Sequence, residues 1–84
     1  MTASVVTQTR TLGAIAEEIK GDWKKPYFGA VPYLQAMLSL DSIDDDYGAD
    51  HGRAIVRYFL SNASGYRGET ARRLKAELKQ ALKG

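Results

Sequence analysis

Apolar residues recur every three or four positions in four separate segments of this sequence, which is the spacing of one face of an α-helix. In the first segment the apolar residues are Leu12, Ile15, Ala16, Ile19 and Trp23. Thr11 stands just before them and is a residue type that caps helix N-termini. No segment alternates apolar and polar residues over more than four positions, so strands are not indicated. The pattern predicts four helices, the first beginning after Thr11.

The segment DWKKPYFGAVPYL, residues 22–34, contains the only Trp, both Pro and four of the aromatic residues of the chain. Because Trp23 continues the apolar face of the first helix, we expect it to be largely buried in an aromatic corner of the core. The alternative is an exposed docking surface, since aromatic residues dominate binding hot spots. Both interpretations concern Trp23, Tyr27, Phe28 and Tyr33, and we favour the core for these residues, with one or two Tyr hydroxyls reaching the surface.

An acidic loop separates the second and third predicted helices. Pro32 is tolerated in a first helical turn, which predicts a second helix over about residues 29–40. The stretch LDSIDDDYGAD, residues 40–50, is polar and rich in turn-forming residues, so it is predicted to be a loop. Asp50 is then a candidate cap for a third helix over about residues 51–62.

The candidate cation ligands in this loop are Asp44, Asp46, Asp50 and His51. A calcium loop of the EF-hand type that began at Asp44 would need Gly at its sixth position and Glu at its twelfth, where this chain has Ala49 and Ile55. We therefore expect a solvated turn, with cation binding as the alternative. His51 is the only His and has no nucleophile motif beside it, so we predict a surface residue.

The fourth predicted helix, over about residues 69–83, separates its side chains into distinct faces. Its core face consists of Ala71, Leu74, Leu78, Ala81 and Leu82. Beside that face lies a basic stripe, entered from the preceding connector, which consists of Arg67, Arg72, Lys75, Lys79 and Lys83. Arg53 and Arg57 of the third helix are candidates to extend this stripe. Glu69 precedes Arg73 by four positions, the favourable order for an ion pair on a helix.

These segments predict an all-α fold, a small irregular bundle of four helices with short connectors and a flexible N-terminal tail. The tail is predicted over residues 1–10 and a single helical domain over residues 11–84. Disulfides and thiolate zinc sites are excluded because the chain has no Cys, so its 84 residues must rely on packing, a partner or self-association. No apolar run is long enough to span a bilayer and no signal peptide is evident, which predicts a cytoplasmic location.

Motifs for catalysis or cofactor binding are missing from the sequence. The stretch GYRGETARR places two Gly before a predicted helix, but it lacks the GxxxxGK[ST] spacing of a phosphate-binding loop. The chain also offers neither a nucleophile with its base nor a plausible set of metal ligands. We therefore predict a non-enzymatic protein without a cofactor.

Two stretches, DWKKPYFGAVPYLQAM and IVRYFLSNASGYRGETARRLKAEL, carry a resemblance together with the Asp-rich turn between them. They resemble a group of small proteins, without an assigned activity, that actinobacterial phages and related actinobacterial genomes encode. The resemblance covers most of residues 12–82 and carries no functional residue over to this chain. The resemblance implies that the protein acts in the host cytoplasm, because small phage-encoded accessory proteins often bind a host protein and change its activity.

Three functions are compatible with these exclusions. The first is a protein-binding module, a phage accessory protein whose basic stripe contacts an acidic surface of a host protein. The second is a nucleic-acid-binding helical domain that uses the same stripe, although a net charge of only +2 argues against it. The third is a self-assembling structural protein, in which the basic stripe pairs with the acidic loop of another copy. A stripe that serves only solubility is the remaining explanation.

Overall fold

Four α-helices and one short pair of antiparallel strands make up the computed structural model, which describes residues 10–48 and 50–83. The elements are α1 (Leu12–Asp22), α2 (Val31–Leu38), β1 (Asp46–Tyr47), β2 (Asp50–His51), α3 (Gly52–Ser61) and α4 (Glu69–Lys83). The mostly helical fold that the sequence predicts is confirmed. The predicted flexible tail lies outside the described residues except for Arg10. No helix in the described part is both long and apolar enough to cross a membrane.

The two N-terminal helices begin and end close to where the sequence predicts. Thr11 caps α1, because its hydroxyl accepts a hydrogen bond from the Ala14 amide at 3.0 Å. Pro32 lies in the first turn of α2, where its missing N–H costs no hydrogen bond. The predicted apolar face of α1 is buried, and its members are Leu12, Ile15, Ala16 and Ile19.

The strand pair corrects the prediction of a purely all-α fold. Asp46 pairs with His51 and Tyr47 with Asp50, and Gly48 in the turn has a φ of +62°, a left-handed conformation that favours glycine. The sequence does not reveal this hairpin, because two residues per strand are too few for an alternating pattern.

The predicted Asp50 cap of α3 is also wrong. His51 occupies the N-cap position and its side chain makes no capping hydrogen bond. The first amides of α3 instead donate to the carbonyls of the preceding loop, Gly52 N to Asp45 O at 2.7 Å and Arg53 N to Ile43 O at 2.9 Å. Backbone contacts from the acidic segment, residues 41–51, therefore satisfy the donors that a capping side chain would otherwise take.

All four helices contribute to one hydrophobic core, and no charged or polar side chain in the described part is buried. In α3 the buried apolar residues are Ile55, Val56 and Phe59, and in α4 they are Ala71, Leu74 and Leu78. The core face predicted for α4 is confirmed, with Ala81 and Leu82 partly buried at its end. A core without buried charges avoids the cost of desolvating them.

The aromatic corner is divided between the core and the surface. Trp23 stacks on Tyr66 with ring centroids 4.9 Å apart and meets Phe59 edge-on at 6.2 Å, yet it stays partly exposed. Trp23 thus packs against the core as predicted, at its edge, where α1 ends at Asp22 and the Trp23 amide still donates to the Ile19 carbonyl. Tyr27 and Phe28 are exposed, at 50% and 79%, although the sequence assigned them to the core.

Ion pairs among four charged side chains connect Arg10 to α1 and to α4, and connect α1 to α4. Arg10 pairs with Glu18 at 3.0 Å and with Glu77 at 2.7 Å, while Arg73 also pairs with Glu18. Arg73 thus pairs across the helix interface, whereas the sequence suggested a pair with Glu69. The guanidinium of Arg73, followed by that of Arg10, holds the pKa of Glu18 below its usual value, and Arg10 does the same for Glu77.

This network predicts a loss of stability in acid. A carboxyl group with a lowered pKa in the folded state stabilises the fold above its unfolded pKa, about 4.3 for Glu. That contribution is lost as the pH falls through the folded pKa. We expect the double variant Glu18→Gln and Glu77→Gln to show a flatter decline in unfolding free energy below about pH 4 than the parent chain.

Urea unfolding at a series of pH values measures this difference. Glu17→Gln is the control, because Glu17 is exposed on α1 and forms no ion pair within the described residues. It should keep the acid dependence of the parent. Parallel curves for the double variant and the parent would show that the network contributes nothing.

Candidate functional site

The basic stripe lies on the outer face of α4 and on the connector before it. Its members Arg67, Arg72, Lys79 and Lys83 are exposed, and Lys75 is partly buried. Within the described residues, none of these five side chains forms an ion pair. By contrast, Arg10 and Arg73 are both paired with carboxylates. Among the residues that the structure describes, the stripe therefore presents positive charge that no carboxylate pairs directly.

Lys75 has the most constrained position in the stripe. Its ammonium group lies 5.7 Å from the centroid of the Tyr66 ring, within the range of a cation–π contact. Tyr66 is fixed in turn, because it is only 2% exposed and its hydroxyl donates a hydrogen bond to Asp22 at 2.8 Å. Trp23 stacks on the same ring. The aromatic core thus fixes the ring that the Lys75 ammonium group faces.

Three of the five cations are electrostatically coupled. Desolvation lowers the pKa of Lys75, and the positive charges of Lys79 and Arg67 lower it further. Lys75 and Lys79 are one helical turn apart on α4, and Arg67 directly follows Tyr66, whose ring Lys75 faces, so we call Arg67, Lys75 and Lys79 the basic cluster. Mutual repulsion within the cluster is unfavourable in the free protein, and an anionic partner would relieve it.

Arg53 does not extend the stripe, contrary to the suggestion from the sequence. Its guanidinium donates to the carbonyl of Leu82 at 2.7 Å and lies 3.7 Å from the Asp44 carboxylate. Arg53 therefore caps the C-terminal end of α4, where helix carbonyls lack partners, and holds the acidic segment beside that end. Arg57 lines a cleft of about 240 Å³ next to Asp44 and His51, so it also belongs to this side of the molecule.

The acidic segment is organised by its own hydrogen bonds. The carboxylate of Asp45 accepts from the amides of Asp41 and Ser42 at 2.9 and 3.1 Å, which closes a turn. His51 is exposed, as predicted, and its Nδ1 lies 2.6 Å from the Asp46 carboxylate. In the described part of the chain, no three His, Cys, Asp or Glu side chains are arranged to hold a metal ion.

The Tyr27 side chain packs close to Gly29 at the aromatic corner. A Cβ on Gly29 would come within 2.5 Å of the Tyr27 ring and within 3.0 Å of the Asn62 side-chain oxygen, so a larger residue there would have to displace the Tyr27 ring. The amide of Ala30 donates to the Tyr27 carbonyl at 2.8 Å, which closes the turn. Phe28 contacts the Tyr27 ring, with centroids 4.9 Å apart, and is left pointing outward.

The aromatic corner borders a groove of about 410 Å³, which we call the aromatic groove. Its lining residues are Tyr27, Ser61, Asn62, Ser64 and Gly65. Arg67 lies at its edge, because its guanidinium donates to the carbonyl of Ser64 at 3.4 Å. The aromatic groove is thus continuous with the basic cluster through the connector between α3 and α4.

The structure brings together Arg67, Lys75 and Lys79 of the five predicted residues, and it adds a groove that the sequence did not predict. The only sequence signal for the groove is the turn chemistry around Gly29 and the small residues of the NASGYRG connector. No protein-family model, no curated protein and no solved structure gave a significant match to this chain. By its fold and surface, the molecule is a small helical protein with a cationic cluster beside an aromatic groove.

Proposed function

We propose that this protein is a non-enzymatic protein-binding module whose basic cluster contacts an acidic surface of a partner. The observation that carries the proposal is the contrast between two sets of cations. Arg10, Arg53 and Arg73 are each held by carboxylates within the fold. The basic cluster is coupled, partly desolvated and has no ion pair among the described residues. Complementary charge on a partner would give both faster association and specificity.

The resemblance to small proteins of actinobacterial phages suggests where such a partner is found. A phage accessory protein in the host cytoplasm would bind a host protein and change what it does. The partner then belongs to an actinobacterial host, and its contact surface carries Asp and Glu.

A nucleic-acid-binding role is the second candidate, because the same cations can contact phosphates. Two features of the fold favour the protein partner. Arg53 brings Asp44 to the C-terminal end of α4, and Asp22 accepts the hydrogen bond of Tyr66 under Lys75. One carboxylate thus lies at the C-terminal end of α4 and another near Lys75, and both would repel a phosphate backbone that followed the stripe.

Self-assembly is the third candidate, with the acidic segment of one copy facing the basic cluster of another. Light scattering over a range of protein concentrations tests it, and a monomer at every concentration would exclude it. The head-to-tail geometry would also build open chains, whose size grows with concentration.

Charge reversal tests the proposal directly. The double variant Arg67→Glu and Lys79→Glu should lose capture of its partner from an actinobacterial lysate, because two attractive contacts become repulsive. The matched control is Lys20→Glu with Arg57→Glu, which reverses one Lys and one Arg at exposed positions elsewhere. Both double variants change the net charge from +2 to −2, since each replaces two cations with two anions.

We expect the control to capture the same protein as the parent chain, with circular dichroism showing that both variants are folded. Equal capture by the parent and the Arg67 and Lys79 variant would contradict the proposal.

A titration with DNA and RNA over a salt series tests the second candidate, nucleic-acid binding. Three contacts to a single strand predict a slope of about −2 in log affinity against log salt.

A further inference from the structure

The aromatic groove and the basic cluster form one continuous surface. Arg67 belongs to both, since it donates to Ser64 at the groove edge and is coupled electrostatically to Lys75. Ser64 and Gly65 line the groove, and the chain reaches α4 only a few residues later. A ligand that fills the groove therefore continues without interruption onto the cationic face of α4.

The groove combines one aromatic ring with small and polar residues, so an apolar side chain would contact it at the Tyr27 end, where Phe28 packs on Tyr27. Tyr27 forms its wall, and Phe28 beside it exposes 79% of its surface. The Ser61 hydroxyl and the Asn62 side-chain nitrogen already donate to the carbonyls of Arg57 and Tyr58, which leaves the side-chain oxygens and the Ser64 hydroxyl as partners for a peptide backbone. No carboxylate lines the groove within the described residues. An aromatic or aliphatic anchor would bury the exposed faces of Tyr27 and Phe28.

The spacing of the cations fits an extended acidic peptide. Lys75 and Lys79 are four residues apart on α4, which corresponds to about 6 Å along the helix axis. Alternate side chains of an extended chain point the same way and repeat every ~6.6 Å. Two carboxylates at alternate positions of a bound peptide can thus reach these two lysines.

We propose that the aromatic groove and the basic cluster together bind a short extended segment of a partner protein, with an apolar anchor in the groove and acidic residues on Arg67, Lys75 and Lys79. This inference rests on the proposed function and names the form that the acidic partner surface takes. The groove fixes the register of the segment, and the cluster supplies the charge complementarity.

Single-stranded nucleic acid also combines bases that stack on aromatic side chains with negative charge. An acidic peptide is favoured over a nucleic acid because the basic cluster is short. The three coupled cations are one connector residue and two lysines about 6 Å apart along the axis of α4. A cluster of this length can contact two or three carboxylates, whereas domains that bind single strands usually cover about 4–16 nucleotides.

A random peptide library selected on the full chain tests the inference. Enriched peptides should combine an acidic run with one aromatic or aliphatic residue. Phe28→Ala should weaken the binding of an enriched peptide about tenfold, since a lost hot-spot contact of ~1.4 kcal/mol corresponds to that factor. Tyr47→Ala is the matched control, because Tyr47 is an aromatic residue 47% exposed on the strand pair. It should leave the affinity unchanged.

The Arg67 and Lys79 charge-reversal variant separates the two proposals. If it weakens peptide binding while Phe28→Ala does not, the groove is not part of the site and the inference fails, but the proposed function stands. Binding that depends on Phe28 and not on these cations contradicts both proposals. A library that yields no acidic peptides overturns the inference alone, because lysate capture tests the proposed function independently.

A thymidine oligonucleotide is the second probe in this experiment. The inference predicts that it binds at least tenfold more weakly than an enriched peptide of equal charge. The oligonucleotide could instead bind more tightly than the peptide, with binding that is lost in Phe28→Ala and depends steeply on salt. That result would contradict the proposed peptide ligand and favour a single-stranded nucleic acid.

Discussion

Phe59→Ala is expected to lower the unfolding free energy by about 3–5 kcal/mol, the usual cost of removing a fully buried aromatic side chain. Phe59 has no exposed surface, lies in the core cluster and meets the edge of Trp23. A chain of 84 residues has a total stability of only about 4–13 kcal/mol at ordinary values per residue. We therefore expect Phe59→Ala to be mostly unfolded at elevated temperature.

Urea denaturation followed by Trp23 fluorescence measures this loss. Tyr58→Ala is the control on the same helix, because Tyr58 is 50% exposed and touches only Tyr33 among the aromatic rings. It should cost about 1 kcal/mol, the scale of one aromatic contact at a surface. Equal losses for Phe59→Ala and Tyr58→Ala would mean that the described core is wrong.

Gly52→Ala is the second substitution with a large expected effect. A Cβ on Gly52 would lie 2.9–3.0 Å from three backbone carbonyl oxygens, those of Ser42, Ile43 and Asp45. Backbone atoms cannot rotate away as side chains do, so the acidic segment must shift away from α3. That shift would strain the hydrogen bond from the Gly52 amide to Asp45, and we expect a loss of about 1–3 kcal/mol.

Gly21→Ala provides the opposite expectation from the same substitution. Gly21 lies in α1 with no atom within 4 Å of its virtual Cβ and with no positive φ. Alanine should stabilise the chain there by up to about 1 kcal/mol, because glycine lowers helix stability. Thermal unfolding of both variants and of the parent chain measures these two changes in stability. A Gly52→Ala chain as stable as the Gly21→Ala chain would show that the contact between the acidic segment and α3 is not tight.

The helices were predictable because their signals are local. The Thr11 cap, the position of Pro32 and the apolar face of α4 each depend on residues within a few positions of one another. The helical period extends such signals along one element. They therefore identify which face of a helix is buried, but not what that face meets.

The features that were missed depend on contacts between distant residues or on the end of an element. Tyr27 and Phe28 were expected in the core, but they lie in the turn between α1 and α2 and are exposed. Arg53 was expected on the basic stripe and instead caps α4 at Leu82, twenty-nine positions away. The strand pair was missed because it is too short to produce a pattern.

The candidate site was predictable from the sequence only in part. All five residues of the basic stripe were identified from the sequence, but the coupling among Arg67, Lys75 and Lys79 depends on the fold of the connector and on Tyr66. The aromatic groove could not be predicted, because it forms where the corner at Tyr27 meets the end of α3. Tertiary packing, which brings those segments together, supplies that part of the site.

Chemical-shift mapping by NMR tests the central claim most directly. The labelled chain is titrated with an acidic peptide that carries one phenylalanine, and amide shifts are followed along the sequence. Binding at the combined surface predicts that the largest shifts fall on residues 61–67 and on Lys75 and Lys79, with little change in the acidic segment. Largest shifts in the acidic segment, or no shifts at millimolar peptide, would contradict a function based on the basic cluster and the aromatic groove.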